Sequence, residues 1–311
     1  MKVLVALGGN AVLRRGERQD DHVQRANLAA AIRPLAKVAE RHELIITHGN
    51  GPQVGMLALE SAADPKLTKP YPFDTLVAET QGMIGYWMLQ ALQNGLPGRQ
   101  VISIITQTLV SAVDPAFQNP TKFVGPVYDQ AEAEKLAEEN GWVVKPDGQY
   151  WRRVVPSPKP QRVVETRLIR GLMRDGVIVV GAGGGGVPVI RDENGRLTGV
   201  EAVIDKDLTG SLLAEALECD AFLILTDVER VMRDFGTPQQ TEIGHTTPHE
   251  LRAIDFPAGS MGPKVEAVCR FVETTGDMAA IGRLDQALEI LDGKAGTIIT
   301  PNATWPLSST L

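Results

Sequence analysis

Three glycine-rich turns and three lysines carry the chemistry this sequence could do. Gly8-Gly9-Asn10, Gly49-Asn50-Gly51-Pro52 and Gly181-Ala182-Gly183-Gly184-Gly185-Gly186 each follow a run of strand-forming residues. Glycine lets backbone N–H groups approach an anion closely, and a following helix N-terminus adds favourable partial charge. One such turn is as easily a tight connection, but three in one chain favour a shared phosphate-like site. Lys206, in Asp205-Lys206-Asp207, stands where a helix should begin, and Lys264 follows Pro263, a residue suited to the first helical position. A cation is electrostatically disfavoured at a helix N-terminus. Each lysine alone reads as a solvated charge beside acids; a shared anionic ligand would explain both. Lys122, in Pro120-Thr121-Lys122-Phe123-Val124-Gly125-Pro126, lies in a constrained turn and by itself reads as a surface lysine.

Other chemistries fit less well. The run 181–186 matches GxGxxG, but Val187-Pro188-Val189-Ile190 follows and reads as strand, whereas a dinucleotide fingerprint opens a helix there. No GxxxxGK[ST] occurs. His245 and His249 have i, i+4 spacing, but Pro248 intervenes and no third ligand follows at convincing spacing for zinc. His48 ends a strand before a glycine turn and reads first as a packed histidine, second as an active-site one. Ser211 and Ser260 lie in no nucleophile elbow. Cys219 and Cys269, fifty positions apart in apolar helical stretches, read as buried free thiols, which points to an intracellular chain.

The elements that must position these residues alternate. Strands are expected at Lys2–Leu7, Leu44–Thr47, Val101–Thr106, Val177–Gly181, Ala221–Thr226, Met278–Gly282 and Thr297–Thr300, with helices near 22–41, 52–62, 75–94, 165–175, 207–218, 263–275 and 284–292. That pattern predicts an α/β fold with a mostly parallel sheet and helices on both faces. Ile84, Trp87, Met88, Ala91 and Leu92 form one apolar helix face, read as core packing with a subunit interface as the alternative. Between 115 and 164 the alternation breaks. Seven prolines, a helix at 129–140 and a hairpin joining Trp142–Lys145 to Tyr150–Val155 mark an inserted subdomain. A second hairpin is expected from Val187–Arg191 and Arg196–Ile204.

Composition excludes whole classes. The 311 residues carry 31 Lys and Arg against 38 Asp and Glu, a net charge of −7, which disfavours nucleic acid and anionic membranes as partners but allows a local cationic pocket. The uncharged run 80–98 holds too many Gln, Gly and Asn residues to span a bilayer. The run Met1–Leu7 reads as a strand, not a signal-peptide core.

Taken together, the motifs resemble one family. Val5-Ala6-Leu7-Gly8-Gly9-Asn10-Ala11, His48-Gly49-Asn50-Gly51-Pro52-Gln53-Val54-Gly55, Pro120-Thr121-Lys122, Gly183-Gly184-Gly185-Gly186-Val187-Pro188-Val189, Val203-Ile204-Asp205-Lys206-Asp207 and Gly259-Ser260-Met261-Gly262-Pro263-Lys264 resemble the carbamate kinases of the amino-acid kinase superfamily. The resemblance runs in order from residue 2 to about 301. Relatives such as acetylglutamate kinase carry a lysine on the first strand, in Lys-Leu-Gly-Gly, where this chain has Ala6. In carbamate kinases the missing cation comes from the protruding subdomain, and the matching residue is Lys122.

The resemblance implies an αβα three-layer sandwich over 1–311 with a protruding subdomain at 115–164, normally a homodimer. It implies the cytoplasmic reaction ATP + carbamate ⇌ ADP + carbamoyl phosphate with Mg²⁺, expected to run toward ATP in nitrogen catabolism. The N-terminal half would hold carbamate or carbamoyl phosphate, and about 170–311 the nucleotide. Lys122, Lys206, Lys264 and Asp207 would be catalytic, with Asp207 orienting the lysines and helping to place Mg²⁺. Gly8, Gly9, Asn10, Asn50, Gly51, Gly183 and Gly184 would bind substrate; Pro52, lacking an N–H, could not. Asp227, Val231, Met232, Met261 and Gly262 would lie near the nucleotide. No protein-held metal is expected. The rival readings are another carboxylate kinase of the superfamily, an inactive nucleotide-binding regulator, and a dinucleotide-dependent oxidoreductase.

Overall fold

The computed structural model describes residues 1–14, 16–256 and 261–302. An eight-stranded sheet has the order His245–Thr246, Thr297–Ile299, Met278–Arg283, Ala221–Thr226, Lys2–Leu7, Glu43–His48, Ile178–Val180, Val101–Ser103. The last six of these strands are parallel; Thr297–Ile299 runs antiparallel to Met278–Arg283, with His245–Thr246 parallel to it. Side chains alternate across the pleat. Val3, Val5, Leu7, Ile46 and Leu223 pack on the face covered by Asp21–Arg41, Phe73–Gly95 and Ala287–Leu291. Leu4, Ala6, Ile45, Phe222 and Ile224 pack on the other, under Thr166–Arg174, Lys206–Leu217 and Met261–Thr275. With both faces covered, the strands need continuous apolar sequence, which is what they have. The mostly parallel sheet with helices on both faces, expected from the alternation, is the observed fold.

The stripe Ile84, Trp87, Met88 and Leu92 is buried in the first of these cores. Cys219 and Cys269 are buried free thiols, and burial pushes both up to about 12. No described helix is long and apolar enough to cross a membrane.

Two expected elements end early. The strand expected over Val101–Thr106 stops at Ser103, because buried Gln81 takes over the backbone of Thr106: its Oε1 accepts the Thr106 N–H at 3.0 Å and its amide donates to the Thr106 carbonyl at 3.1 Å. The chain then crosses into a second sheet as Gln107–Val110, an element absent from the sequence expectation. That sheet has the order Leu197–Gly199, Val187–Arg191, Gln107–Val110, Pro160–Val163. The hairpin arm expected to reach Ile204 ends at Gly199, because Glu201 turns away to accept the Phe73 N–H at 2.9 Å. A three-stranded antiparallel sheet joins Lys122–Tyr128, Tyr150–Val155 and Val143–Asp147, flanked by the helix Gln130–Asn140. Lys122, expected in a turn, opens the first of these strands opposite Val155. Val231–Arg233 and Thr241–Ile243 form a further ribbon.

Candidate active site

From Lys2–Leu7 the chain builds the sheet outward to Glu43–His48 on one side, and later adds Ala221–Thr226 on the other. Strand order reverses there, which opens a crevice at the carboxyl ends of the strands. The three glycine turns converge on it. A Cβ on Gly49 would stand 3.1 Å from the Gly9 backbone nitrogen and 3.5 Å from Lys206 Cε, so the first two turns and Lys206 meet directly. A Cβ on Gly183 would overlap the His48 ring, and one on Gly184 the Asn50 amide. Gly184, Gly185 and Gly186 all have positive φ, at 63°, 88° and 87°. This backbone path is open only to glycine at such density.

His48 is buried, its Nδ1 3.0 Å from the Gly49 carbonyl, and burial, aided by Lys206, lowers its pKa to about 4 against that bond. It is therefore neutral at pH 7, with the proton on Nδ1 to donate to Gly49. Asn50, also buried, donates to Thr80 Oγ1 at 2.8 Å.

The lysines gather at the start of the helix Lys206–Leu217. Asp205 is its N-cap, accepting the N–H groups of Asp207 and Leu208 at 2.9 and 3.3 Å. Its other oxygen, Oδ2, accepts from Lys122 Nζ at 2.9 Å, so one carboxylate fixes the helix start and holds the cation of the small sheet. Asp207 Oδ1 pairs with Lys206, and Asp207 Oδ2 accepts from Lys264 Nζ at 2.9 Å. The Asp207 side chain is only 4 % exposed. Burial opposes its charge, but the two ammonium groups outweigh that and hold it well below the ordinary carboxylate range. Burial lowers the Lys206 pKa despite Asp207, with Lys264 adding repulsion. At Lys264 burial is outweighed by Asp207, so its pKa is raised. Three ammonium groups face two carboxylates, leaving one positive charge at a helix N-terminus, the electrostatics of an anion site.

Other expected residues are placed differently. Gly8 donates its N–H to the Leu225 carbonyl at 2.8 Å, a sheet-like bond that removes it as a substrate donor. The Asn10 amide donates to Asp227 Oδ2 at 2.8 Å, tying the first turn to the loop after Ala221–Thr226. Val231 is fully buried, its N–H donating to Thr297 Oγ1 at 2.8 Å, so its side chain faces the core and not a ligand; its strand neighbour Met232 is half-buried. Met261 and Gly262 open the helix that carries Lys264 and are half-buried. Gly259 and Ser260 lie outside the described residues. Sequence reasoning assigned no role to Asp205; an aspartate immediately before a predicted helix was the available signal.

The sequence profile of the amino acid kinase family matches residues 1–281. The chain is 50 % identical over 311 residues to the carbamate kinase of Rhizobium meliloti (strain 1021), covering 98 % of this chain and 96 % of that one. It is 48 % identical to the carbamate kinase of Pyrococcus horikoshii, covering 96 % and 99 %. Among solved structures, the carbamate kinase from Giardia lamblia bound to AMP-PNP superposes with a TM-score of 0.88 at 39 % identity, covering 97 % of this chain and 98 % of that one. The chain belongs to the amino acid kinase family and, within it, to the carbamate kinases.

Proposed function

We propose that the protein catalyses reversible phosphoryl transfer between MgATP and carbamate, giving MgADP and carbamoyl phosphate. The carrying observation is the convergence of Lys206, Asp207 and Lys264, with Lys122 held beside them by Asp205, on a crevice walled by glycine turns. Ala6 is buried in the sheet core, so its position on the first strand supplies no cation and Lys122 takes that place. In the forward direction an anionic carbamate oxygen forms a bond to the γ-phosphorus as the bond to the β–γ bridging oxygen breaks. Carbamate is already ionised, so no general base is required, and catalysis reduces to alignment and charge neutralisation. Lys122 and Lys206 neutralise the transferring phosphoryl oxygens, and Lys264 the departing β-phosphate. Asp207 fixes the last two. The N–H groups of Gly9, Asn50, Gly51, Gly183 and Gly184 face the carbamoyl end.

Among the described residues no three His, Cys, Asp or Glu side chains cluster as a metal cage. Both Asp207 oxygens are engaged by lysines, which disfavours it as the Mg²⁺ ligand. Mg²⁺ fits as a companion of the nucleotide, held through its phosphates, where it neutralises charge. We assign the substrate to the N-terminal half, the nucleotide to about 170–311, and residues 115–164 to a protruding subdomain. A cytoplasmic homodimer working in the ATP-forming direction completes the reading. The test is ATP formation from ADP, Mg²⁺ and carbamoyl phosphate. Rapid formation is expected; no ATP would leave a regulator or an oxidoreductase.

A further inference from the structure

We propose that Arg153 is a positioning residue for the reaction: it latches the three-stranded sheet to the helix Phe73–Gly95 and so places Lys122 at the phosphoryl site. This rests on the role proposed above for Lys122. Arg153 lies in the central strand of that sheet, opposite Val124, while Lys122 lies opposite Val155, two residues along the same pair of strands. Its guanidinium lies over two rings, 4.5 Å from the centroid of Trp142, which directly precedes the strand Val143–Asp147, and 4.8 Å from that of Phe73. Phe73 is fully buried at the start of Phe73–Gly95, so the arginine bridges the small sheet to the packed core. Arg153 Nη2 also reaches Glu201 Oε1 at 3.3 Å, and the other Glu201 oxygen accepts the Phe73 N–H.

Glu201 begins the segment that ends at Asp205, the partner of Lys122. Between them the Val203 N–H donates to the Pro156 carbonyl at 3.0 Å, just past the strand of Arg153. The small sheet is thus fastened at three points to five consecutive residues. When Lys122 leaves Asp205 for a phosphoryl oxygen, one of these is lost; Arg153–Glu201 and the Val203–Pro156 hydrogen bond remain. The approach is also close in backbone terms: a Cβ on Gly55 would stand 2.7 Å from Gly125 Cα, so the sheet rests directly on the helix Gly51–Ala63. A cation lying over two aromatic rings together with a fork of donors suits arginine better than lysine.

The test is a double-mutant cycle on turnover from ADP and carbamoyl phosphate, using Arg153→Ala, Lys122→Ala and the double variant. Misplacing a reacting group by about 1 Å costs up to about a hundredfold, so Arg153→Ala is expected to lower kcat about tenfold or more. Its Kd for ADP should stay within about twofold, as for an independent site. In the Lys122→Ala background the same substitution should cost less than about twofold, because the residue it positions is gone. An unchanged kcat, or the same loss in both backgrounds, overturns the latch. Wild-type turnover in Lys122→Ala alone would instead overturn the role of Lys122 and the latch with it. Should Arg153→Ala not fold, Glu201→Gln keeps the cap on Phe73, removes the ion pair, and must show the same background dependence at smaller size.

Discussion

Replacing Asp207 by asparagine keeps the volume and one carbonyl acceptor but removes the single charge that Lys206 and Lys264 share. At 2.9 Å and an effective dielectric near 20, the attraction of Lys264 alone is about 6 kcal/mol before desolvation. Desolvation of the pair offsets part of this, and breaking a buried pair from one side typically costs about 3–5 kcal/mol. Lys264 is 21 % exposed, so the lower end applies, about 3 kcal/mol. For a chain of this size that is a fall of about 5 °C in Tm. The sign of a second effect is more telling. Asp207→Asn raises the net charge of the cluster from one positive to two, so inorganic phosphate should raise the Tm of the variant more than that of the wild type. Scanning fluorimetry with and without saturating phosphate reads both effects, and turnover should fall at least about a hundredfold, as when one transition-state stabiliser is lost. An unchanged Tm together with equal phosphate stabilisation of both proteins would refute the charge-sharing argument.

Further outcomes follow from the same geometry. The folded-state pKa of His48, about 4, lies below its ordinary value of 6.5. Its contribution is therefore present above pH 6.5 and lost as pH falls toward 4, about 3 kcal/mol at full extent. Urea unfolding at pH 7 and 4.5 should show a larger drop for wild type than for His48→Gln; equal drops would contradict the burial argument. Gly184→Ala places a Cβ at φ +63° and into the Asn50 amide, and should destabilise by about 1–3 kcal/mol. Gly9→Ala meets nothing within 4 Å, so thermal unfolding should leave it near wild type while KM for carbamoyl phosphate rises, its Cβ intruding on ligand space.

The parallel core was legible because strands buried on both faces must be apolar throughout, as Val3–Leu7 and Phe222–Leu225 are. Lys206 and Lys264 were legible because a cation at a helix start is locally unfavourable and demands a partner. Lys122 was legible only through the family resemblance, since its neighbours along the chain say nothing of Asp205, eighty-three residues away. Gln107–Val110 escaped notice because it is short and half polar, and its N-terminal residue is held by Glu165, whose carboxylate accepts the Gln107 N–H at 2.8 Å. Asn10 and Val231 show what a motif carried over residue by residue leaves open. The motif fixes position along the chain, but a hydrogen bond to Asp227 and the pleat of a two-stranded ribbon decide where each side chain goes.

The most direct test of the lysine cluster as a phosphoryl-transfer site is the steady-state rate of ATP formation from ADP and carbamoyl phosphate in Lys122→Ala beside wild type. Loss of one charge-assisted stabiliser predicts a kcat at least about tenfold lower in a variant that still folds. A kcat equal to wild type would contradict it.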